Sequence, residues 1–268
     1  MNALMTFLHE INPLYVLSGV LVGSLVGFTG VGGGSLMTPI LILVFGIHPA
    51  TAVGTDLLYA SITKTGGSFV HGYNKTIDWK VVGKLALGSV PMTALTVLIL
   101  YELKVDSKTT QMLITRVLGV ALLFTAVTLI LRKPLMRWYG ARVGDLNPRL
   151  VTTLTVVTGA VLGVLVTLSS VGAGAIGVMA LVLLYPKMPA QRIVGSDIAH
   201  AVPLTLVAGL GHSFLGTINW HILESLLVGS IPAIIVASIA SARTSETAVR
   251  VALALVLILV CLRFWFLS

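Results

Sequence analysis

One glycine-rich stretch decides the fold of this chain: Gly27-Phe28-Thr29-Gly30-Val31-Gly32-Gly33-Gly34-Ser35-Leu36-Met37-Thr38-Pro39. It lies inside a run from Ile11 to Thr55 that contains no Asp, Glu, Lys or Arg. Five of the eight residues from Gly27 to Gly34 are glycine. Glycine lacks a Cβ and accepts positive φ, so this stretch breaks any helix that enters it. Because unpaired backbone groups are costly in hydrocarbon, such a break must line a cavity or be buried in protein.

A second version of the break occurs later in the chain, where the sequence from Ser169 to Gly177 reads SSVGAGAIG. Each half of the chain therefore contains one interrupted apolar segment. Paired interruptions of this kind are typical of a binding site that lies between two halves of a membrane protein.

Composition places the chain in a membrane. Of its 268 residues, 56% are hydrophobic and only 10% are charged, whereas soluble domains carry about 25% charged residues. The apolar runs are continuous and do not alternate, which favours helices over a β-barrel. The net charge of +8 lies in short gaps between these runs, as expected of cytoplasmic loops and not of a nucleic-acid interface. A lone cysteine, Cys261, excludes an intrachain disulfide and a cysteine metal cluster.

The apolar runs predict a polytopic helical bundle of about 8–10 spans. The segments in the first half lie near 14–30, 34–47, 50–72, 79–101 and 108–131. Those in the second half lie near 150–170, 174–186, 190–212, 219–241 and 246–267. The segments 34–47 and 174–186 are short for a span and are predicted to be half-helices or re-entrant arms.

The two halves are copies of one another. Placing Asp56 on Asp197 also superposes His71 on His212, Trp79 on Trp220 and Pro91 on Pro232. The sequence therefore predicts a first repeat at 1–131, a basic connector at 132–149 and a second repeat at 150–268.

Loop charge predicts that the repeats are inverted. The loop from Gly72 to Lys84 carries three lysines, whereas the matched loop from Ser213 to Ser225 carries no Lys or Arg. With five segments per repeat, these loops lie on opposite sides of the membrane, and the lysine-bearing loop and the connector face the cytoplasm. We expect a multi-pass protein of the inner cell membrane.

The glycine-rich break, Pro39 and the run GIHPATAVGTD from Gly46 to Asp56 resemble the TauE/SafE-type sulfite exporter family. The resemblance covers both repeats. It implies a permease for sulfite, sulfonates or related organosulfur anions. The second copy departs from the first, because Gly174 follows an alanine and Met179 replaces Pro39, so any site is only approximately two-fold.

The breaks supply the candidate substrate site, because free N–H groups at a helix N-terminus attract anions. The predicted binding residues are Gly32, Gly33, Gly34, Ser35 and Thr38 in the first repeat, and Ser169, Ser170, Gly172, Ala173, Gly174 and Ala175 in the second. The alternative is that these small residues only allow helices to pack closely.

A second group of residues is predicted to gate or couple transport: Thr55, Asp56, Lys64, His71, Ser196, Asp197 and His212. Ionisable residues inside a membrane are candidates for function. The carboxylates, with Thr55 and Ser196, have the alternative of accepting bonds from broken-helix N–H groups. Lys64 attracts the anion, pairs with Asp56 or extends to the interface. The matched histidines are either a proton relay or structural.

The pattern Gly172-Ala173-Gly174-Ala175-Ile176-Gly177 matches a dinucleotide fingerprint, but no charged residue occurs from Leu150 to Pro186. A Rossmann turn requires a soluble α/β sheet, so this interpretation is rejected. No catalytic triad, paired carboxylates or metal-ligand spacing stands out, so neither an enzyme nor a cofactor or metal is predicted.

The sequence therefore predicts a permease that binds a small sulfur-containing anion between the N-termini of two broken helices at the mid-membrane and moves it by alternating access. The rival interpretations are a channel-like anion pore and a membrane scaffold. The expected partners are the anion and the lipid bilayer, without nucleic acid. The prediction is compatible with proton coupling and with a homodimer.

Topology is the first testable prediction. In a Cys261→Ala background, we expect an impermeant maleimide on intact cells to label a cysteine at Asn219 and not one at Asn74. Labelling at both positions would contradict the inverted arrangement, as would labelling at neither when lysed cells label fully.

Overall fold

The computed structural model describes residues 11–29, 34–105, 107–140 and 147–240, together with Leu255 and Ile258. Within these ranges the regular structure is entirely α-helical, which confirms the all-α fold class. Three parts of the predictions lie outside the described residues. They are residues 30–33 of the first break, residues 141–146 of the connector, and the last predicted segment except for Leu255 and Ile258.

The described residues form nine helices, which we number in chain order. They are α1 (Pro13–Thr29), α2 (Gly34–Leu43), α3 (Pro49–Tyr73), α4 (Trp79–Glu102), α5 (Lys108–Gly140), α6 (Pro148–Ser169), α7 (Ile176–Leu184), α8 (Ala190–Phe214) and α9 (Trp220–Ala240).

The starts of these helices follow from local sequence. Pro49 opens α3 and Pro148 opens α6, at positions where the missing N–H would have no helical partner. Asp78 caps α4, where its carboxylate accepts hydrogen bonds from the N–H of Lys80 at 3.1 Å and of Val81 at 3.3 Å. Apolar runs with such starts and stops are sufficient to define the long helices.

Five of the described helices are long and apolar enough to cross a membrane: α4, α5 as far as Leu131, α6, α8 and α9 as far as Ala237. A shorter apolar helix covers Pro13–Val26. These helices confirm a multi-pass membrane protein. Helix α5 continues to Gly140, so the first nine residues of the predicted connector are helical. The charged residues there are good helix formers, although they end the apolar run.

The segments predicted to be short are short. Helix α2 has 10 residues and α7 has 9. At 1.5 Å per residue each extends about 15 Å, roughly half of the hydrocarbon core of about 30 Å. Neither helix crosses the membrane alone.

The helices pack in exchanged pairs. The first helix of each predicted repeat packs against the fourth helix of the other, α1 against α9 and α6 against α4. Helices α3 and α8 pack against each other, α2 packs against α3, and α7 packs against α8. The pattern of contacts therefore recurs at matched positions. The orientation of the two repeats relative to the membrane stays a prediction.

Glycines close both exchanged interfaces. Four of them face a backbone carbonyl of the partner helix so closely that a Cβ would overlap it: Gly88 on Val156, Gly159 on Leu85, Gly229 on Val16 and Gly19 on Leu226. Close backbone approach through small residues is a main source of packing energy between membrane helices.

These contacts generate a stability prediction. We expect Gly159→Ala and Gly19→Ala each to lower the free energy of unfolding by about 1–3 kcal/mol, because the helices must separate to admit a methyl group. Gly83→Ala is the matched control, since nothing lies within 4 Å of the Cβ that it would add to α4. Thermal unfolding in detergent measures all three. Equal stability of the three variants would contradict the proposed role of the close contacts.

Candidate functional site

The second break is a buried, non-helical segment. Helix α6 ends at Ser169, and the backbone then passes through left-handed conformations at Ser170 (φ 57°), Gly172 (φ 121°) and Gly174 (φ 120°). Residues 169–175 are all buried. The N–H groups of Ile176 and Gly177 both donate to the Gly172 carbonyl at 3.1 Å, which sets the start of α7. The break is therefore buried in protein, as its polar backbone requires in a membrane.

The two serines of this break differ in their surroundings. Ser169 Oγ donates to the Leu165 carbonyl at 2.6 Å and accepts from the N–H of Val171 at 3.2 Å. It holds the end of α6 in place. Ser170 Oγ faces the carboxylate of Asp56 outside strict hydrogen-bonding geometry, and it has no hydrogen-bond partner among the described residues. Of these two serines, only Ser170 has a hydroxyl that forms no hydrogen bond of strict geometry with the described residues.

Asp56 connects the two breaks. Its side chain is fully buried on α3, and its Oδ2 accepts hydrogen bonds from the N–H of Thr38 at 3.2 Å and from the Thr38 hydroxyl. Its other oxygen, Oδ1, has no hydrogen-bond partner among the described residues. The predicted acceptor role toward the N–H groups of the first broken helix therefore corresponds to an observed contact. Gly34 begins α2, whereas Gly32 and Gly33 and the side chain of Ser35 lie outside the described residues.

Lys64 reaches from one repeat into the other. Its side chain is 5% exposed, and Nζ donates to the carbonyl of Ala173 at 3.3 Å. Its charge is attracted by Asp197 and, less strongly, by Asp56. Lys64 is therefore directed into the second break and not toward the membrane interface. One cation thus interacts with two carboxylates and contacts the backbone of the broken helix. Asp56, Lys64 and Asp197 together are called the charge cluster.

Asp197 occupies the corresponding place in the second repeat. It is fully buried on α8, and a Cβ at Gly177 would overlap its Oδ1. The carboxylate therefore lies against the first turn of α7. Each repeat places its aspartate beside the short helix of the same repeat, where the positive end of the helix dipole favours a negative charge.

Two residues near the charge cluster did not enter the predictions. Tyr59 and His200 follow Asp56 and Asp197 by three positions each, and both are buried. His200 Nε2 lies 2.9 Å from Ser89 Oγ, and its Nδ1 has no partner among the described residues. Tyr59 Oη lies near Ser230, the residue matched to Ser89. The sequence did carry a signal for these two residues, because a tyrosine and a histidine stand at matched positions, each one helical turn after an aspartate.

The remaining predicted residues do not join the charge cluster. Ser196 Oγ accepts from the N–H of Asp78 at 2.8 Å, and Thr55 Oγ1 accepts from the N–H of Asn219 at 3.1 Å. The prediction that these hydroxyls accept from broken-helix N–H groups is wrong, because their donors belong to the turns before α4 and α9. These bonds instead connect each aspartate-bearing helix to the opposite repeat.

The two matched histidines lie at helix ends. His71 Nδ1 lies 2.8 Å from Thr76 Oγ1, and His212 Nδ1 lies 2.9 Å from Thr217 Oγ1. His212 Nε2 also donates to the Thr167 carbonyl at 3.0 Å. Both ring nitrogens of His212 are therefore engaged, which supports a structural role. The proton relay through these histidines stays a prediction.

Within the described ranges, no three His, Cys, Asp or Glu side chains converge as metal ligands would.

Comparison with known proteins identifies the family of the chain. The profile of the family described as "Sulfite exporter TauE/SafE" matches residues 15–264. The chain is 41% identical over 231 residues to "Probable membrane transporter protein YjnA" of Bacillus subtilis (strain 168), covering 86% of this chain and 90% of that protein. It is 27% identical to "Probable membrane transporter protein YdhB" of the same organism, covering 81% of this chain and 85% of that protein. No solved structure matches. The chain belongs to the TauE/SafE sulfite exporter family of membrane transporters.

Proposed function

We propose that this transporter carries a small sulfur-containing oxyanion, such as sulfite or an organosulfonate, by alternating access through the break between α6 and α7. The observation that carries the proposal is the hydrogen bond from Lys64 Nζ to the Ala173 carbonyl at 3.3 Å, inside a buried break. A buried ammonium group is costly unless it has negatively charged partners or a task. Here the ammonium group of Lys64 lies in the break, where it could bind an anion.

The break offers three kinds of interaction to an oxyanion. The start of α7 carries about half a positive charge from the helix dipole. Lys64 adds a full charge, and the Ser170 hydroxyl, which faces the Asp56 carboxylate without a hydrogen bond of strict geometry, adds a donor. Hydrogen bonds to a charged oxygen contribute about 1.5–3 kcal/mol each, so a few such donors are sufficient for reversible binding.

The carboxylates give this binding a charge balance. Asp56, Asp197 and Lys64 together sum to −1 when ionised, so an added monovalent anion would bring the buried cluster to −2. Like charges repel strongly in a medium of low dielectric constant. A proton on one aspartate restores the original balance. We therefore propose that a proton accompanies the anion and that Asp56 or Asp197 carries it.

Burial favours a carrier over a pore. Asp56, Asp197 and His200 are each 0% exposed, so the charge cluster is closed on both sides in this conformation. Lys64 bridges the two repeats, so movement of one repeat against the other would break and remake its contact with Ala173. A membrane scaffold has no use for buried charges, because apolar residues in their place would avoid the cost of burying charge.

The role of Lys64 is testable by substitution. We expect Lys64→Met to abolish saturable sulfite or sulfonate uptake into proteoliposomes and the thermal shift that these anions produce, because the buried cation is removed. Lys104→Gln, an exposed lysine on a turn, is the control and should behave as wild type.

A double variant guards against loss of folding. Lys64→Met with Asp197→Asn restores the net charge of −1 that the buried cluster has in the wild type, so it should fold, as judged by gel filtration, while still failing to bind. Normal saturable transport by either Lys64 variant would overturn the proposal. Transport by wild type that neither saturates nor shows counterflow would identify a pore.

A serine pair separates binding from stability. Ser170→Gly keeps the left-handed backbone and removes only the hydroxyl, so we expect anion affinity to fall about 10-fold or more, with little change in melting temperature. Ser169→Ala removes two bonds within the break and should mainly lower the melting temperature. Titration by thermal shift reads both quantities. Unchanged affinity in Ser170→Gly would remove this hydroxyl from the site.

A further inference from the structure

A second polar region lies outside the buried charge cluster, at one end of the bundle. It is a cavity of about 500 Å³, bounded by the N-terminal ends of α4, α6 and α8 and by the end of α7 with the turn that follows it. None of the residues assigned to transport lines it. Helix ends of four elements meet there, so it lies near the level where the membrane meets water.

Three cations line this cavity: Lys84, Lys187 and Arg192. No carboxylate is among its described lining residues. Lys84 Nζ donates to Thr152 Oγ1 at 2.9 Å, which positions the ammonium group without neutralising it. Arg192 Nη2 lies 3.5 Å from Asp78 Oδ2, and its side chain is 50% exposed. The cavity therefore carries a net positive charge with donors held on more than one wall.

Apart from Thr152 and Tyr185, the rest of the wall is apolar. Val151, Leu184 and Met188 line it together with three prolines. On α6, Leu150 is 50% exposed and Leu154 is 39% exposed, so an apolar surface flanks the opening. Trp79, 67% exposed, begins α4 at the same end of the bundle. Exposed tryptophan at a helix end marks the headgroup level of a bilayer.

The matched place in the other repeat shows that the fold does not require these cations. Ser225 stands where Lys84 does, and Ile47 stands where Lys187 does. The N–H of Asn12 donates to Ser225 Oγ at 3.2 Å, and the rings of Tyr15 and Phe45 lie 4.6 Å apart. The matched helices of the other repeat therefore meet there without a lysine. Among the described residues, Lys84 and Lys187 therefore have no charged counterpart at the matched place.

We propose that this cavity binds the phosphate headgroup of an acidic phospholipid from the cytoplasmic leaflet. Two or more cations suit a phosphate diester, and the apolar wall and flank suit the glycerol backbone and acyl chains. Basic pockets between helix ends on the cytoplasmic side are a recurrent site for such headgroups. A small soluble anion would use the cations and leave the apolar surface without a role.

The site is tested with short-chain phosphatidylglycerol added to purified protein in a neutral detergent. Dioctanoyl phosphatidylcholine and inorganic phosphate are the comparison ligands, and melting temperature and native mass spectrometry are the readouts. We expect saturable stabilisation and one retained lipid with phosphatidylglycerol, and neither effect with the other two. Equal effects of phosphatidylcholine would overturn the charge argument. Equal effects of inorganic phosphate would identify a soluble-anion site and overturn the lipid.

The variant that tests the cations copies the other repeat. Lys84→Ser with Lys187→Ile installs the residues found at the matched positions, so the helix contacts have a precedent in this chain. Each cation near an anionic lipid surface is worth about a factor of five in affinity. The double variant should therefore bind phosphatidylglycerol about 30-fold more weakly.

Lys80→Gln, an exposed lysine at the same end of α4 that does not line the cavity, should bind as wild type. Wild-type affinity in the double variant would overturn the proposal. The single variant Lys84→Ser, expected to bind about fivefold more weakly, supplies the same test if the double variant does not fold.

Discussion

The architecture depends on the contact between the buried ammonium group of Lys64 and the carbonyl of Ala173, which accepts no hydrogen bond within a helix. A regular helix has no free carbonyl to offer in its interior, so the break at Ala173 supplies the acceptor that Lys64 requires. The lysine in turn provides a partner for irregular backbone that would otherwise be costly in hydrocarbon. Each defect satisfies the other, and the two aspartates supply the compensating charge. The glycines and the lysine are therefore parts of one arrangement.

The two predicted repeats contribute matched residues to this arrangement, but the matched residues are not all identical. Asp56 and Asp197 keep the same place beside a short helix, but Lys64 has Thr205 as its matched residue. Tyr59 and His200 likewise occupy one place with different chemistry. A symmetric site would hold two cations facing two breaks. The observed site holds a single cation, so the two halves contribute unequally to whatever binds there.

Local signals made much of the fold predictable from sequence. Glycine runs and charge-free segments indicated the breaks, the short helices and the repeats, and isolated charges singled out Asp56 and Lys64. The acceptor of Lys64 was not predictable, because it lies 109 residues away and depends on how the repeats pack. The hydrogen-bond donors to Thr55 and Ser196 were predicted wrongly for the same reason, because they too depend on how the repeats pack. The cations of the interfacial cavity belong to three separate elements, so no local pattern connects them.

The exchanged pairing of α1 with α9 has a consequence for biogenesis. Helix α1 ends at Thr29, whereas α9 begins at Trp220. At a synthesis rate of about 5–20 residues per second, the first helix waits on the order of 10–40 s for its glycine-matched neighbour to emerge. During that interval its apolar face and close-packing glycines are available to lipid, to the insertion machinery or to another nascent chain. Maturation of this transporter is therefore completed only after translation of its second half.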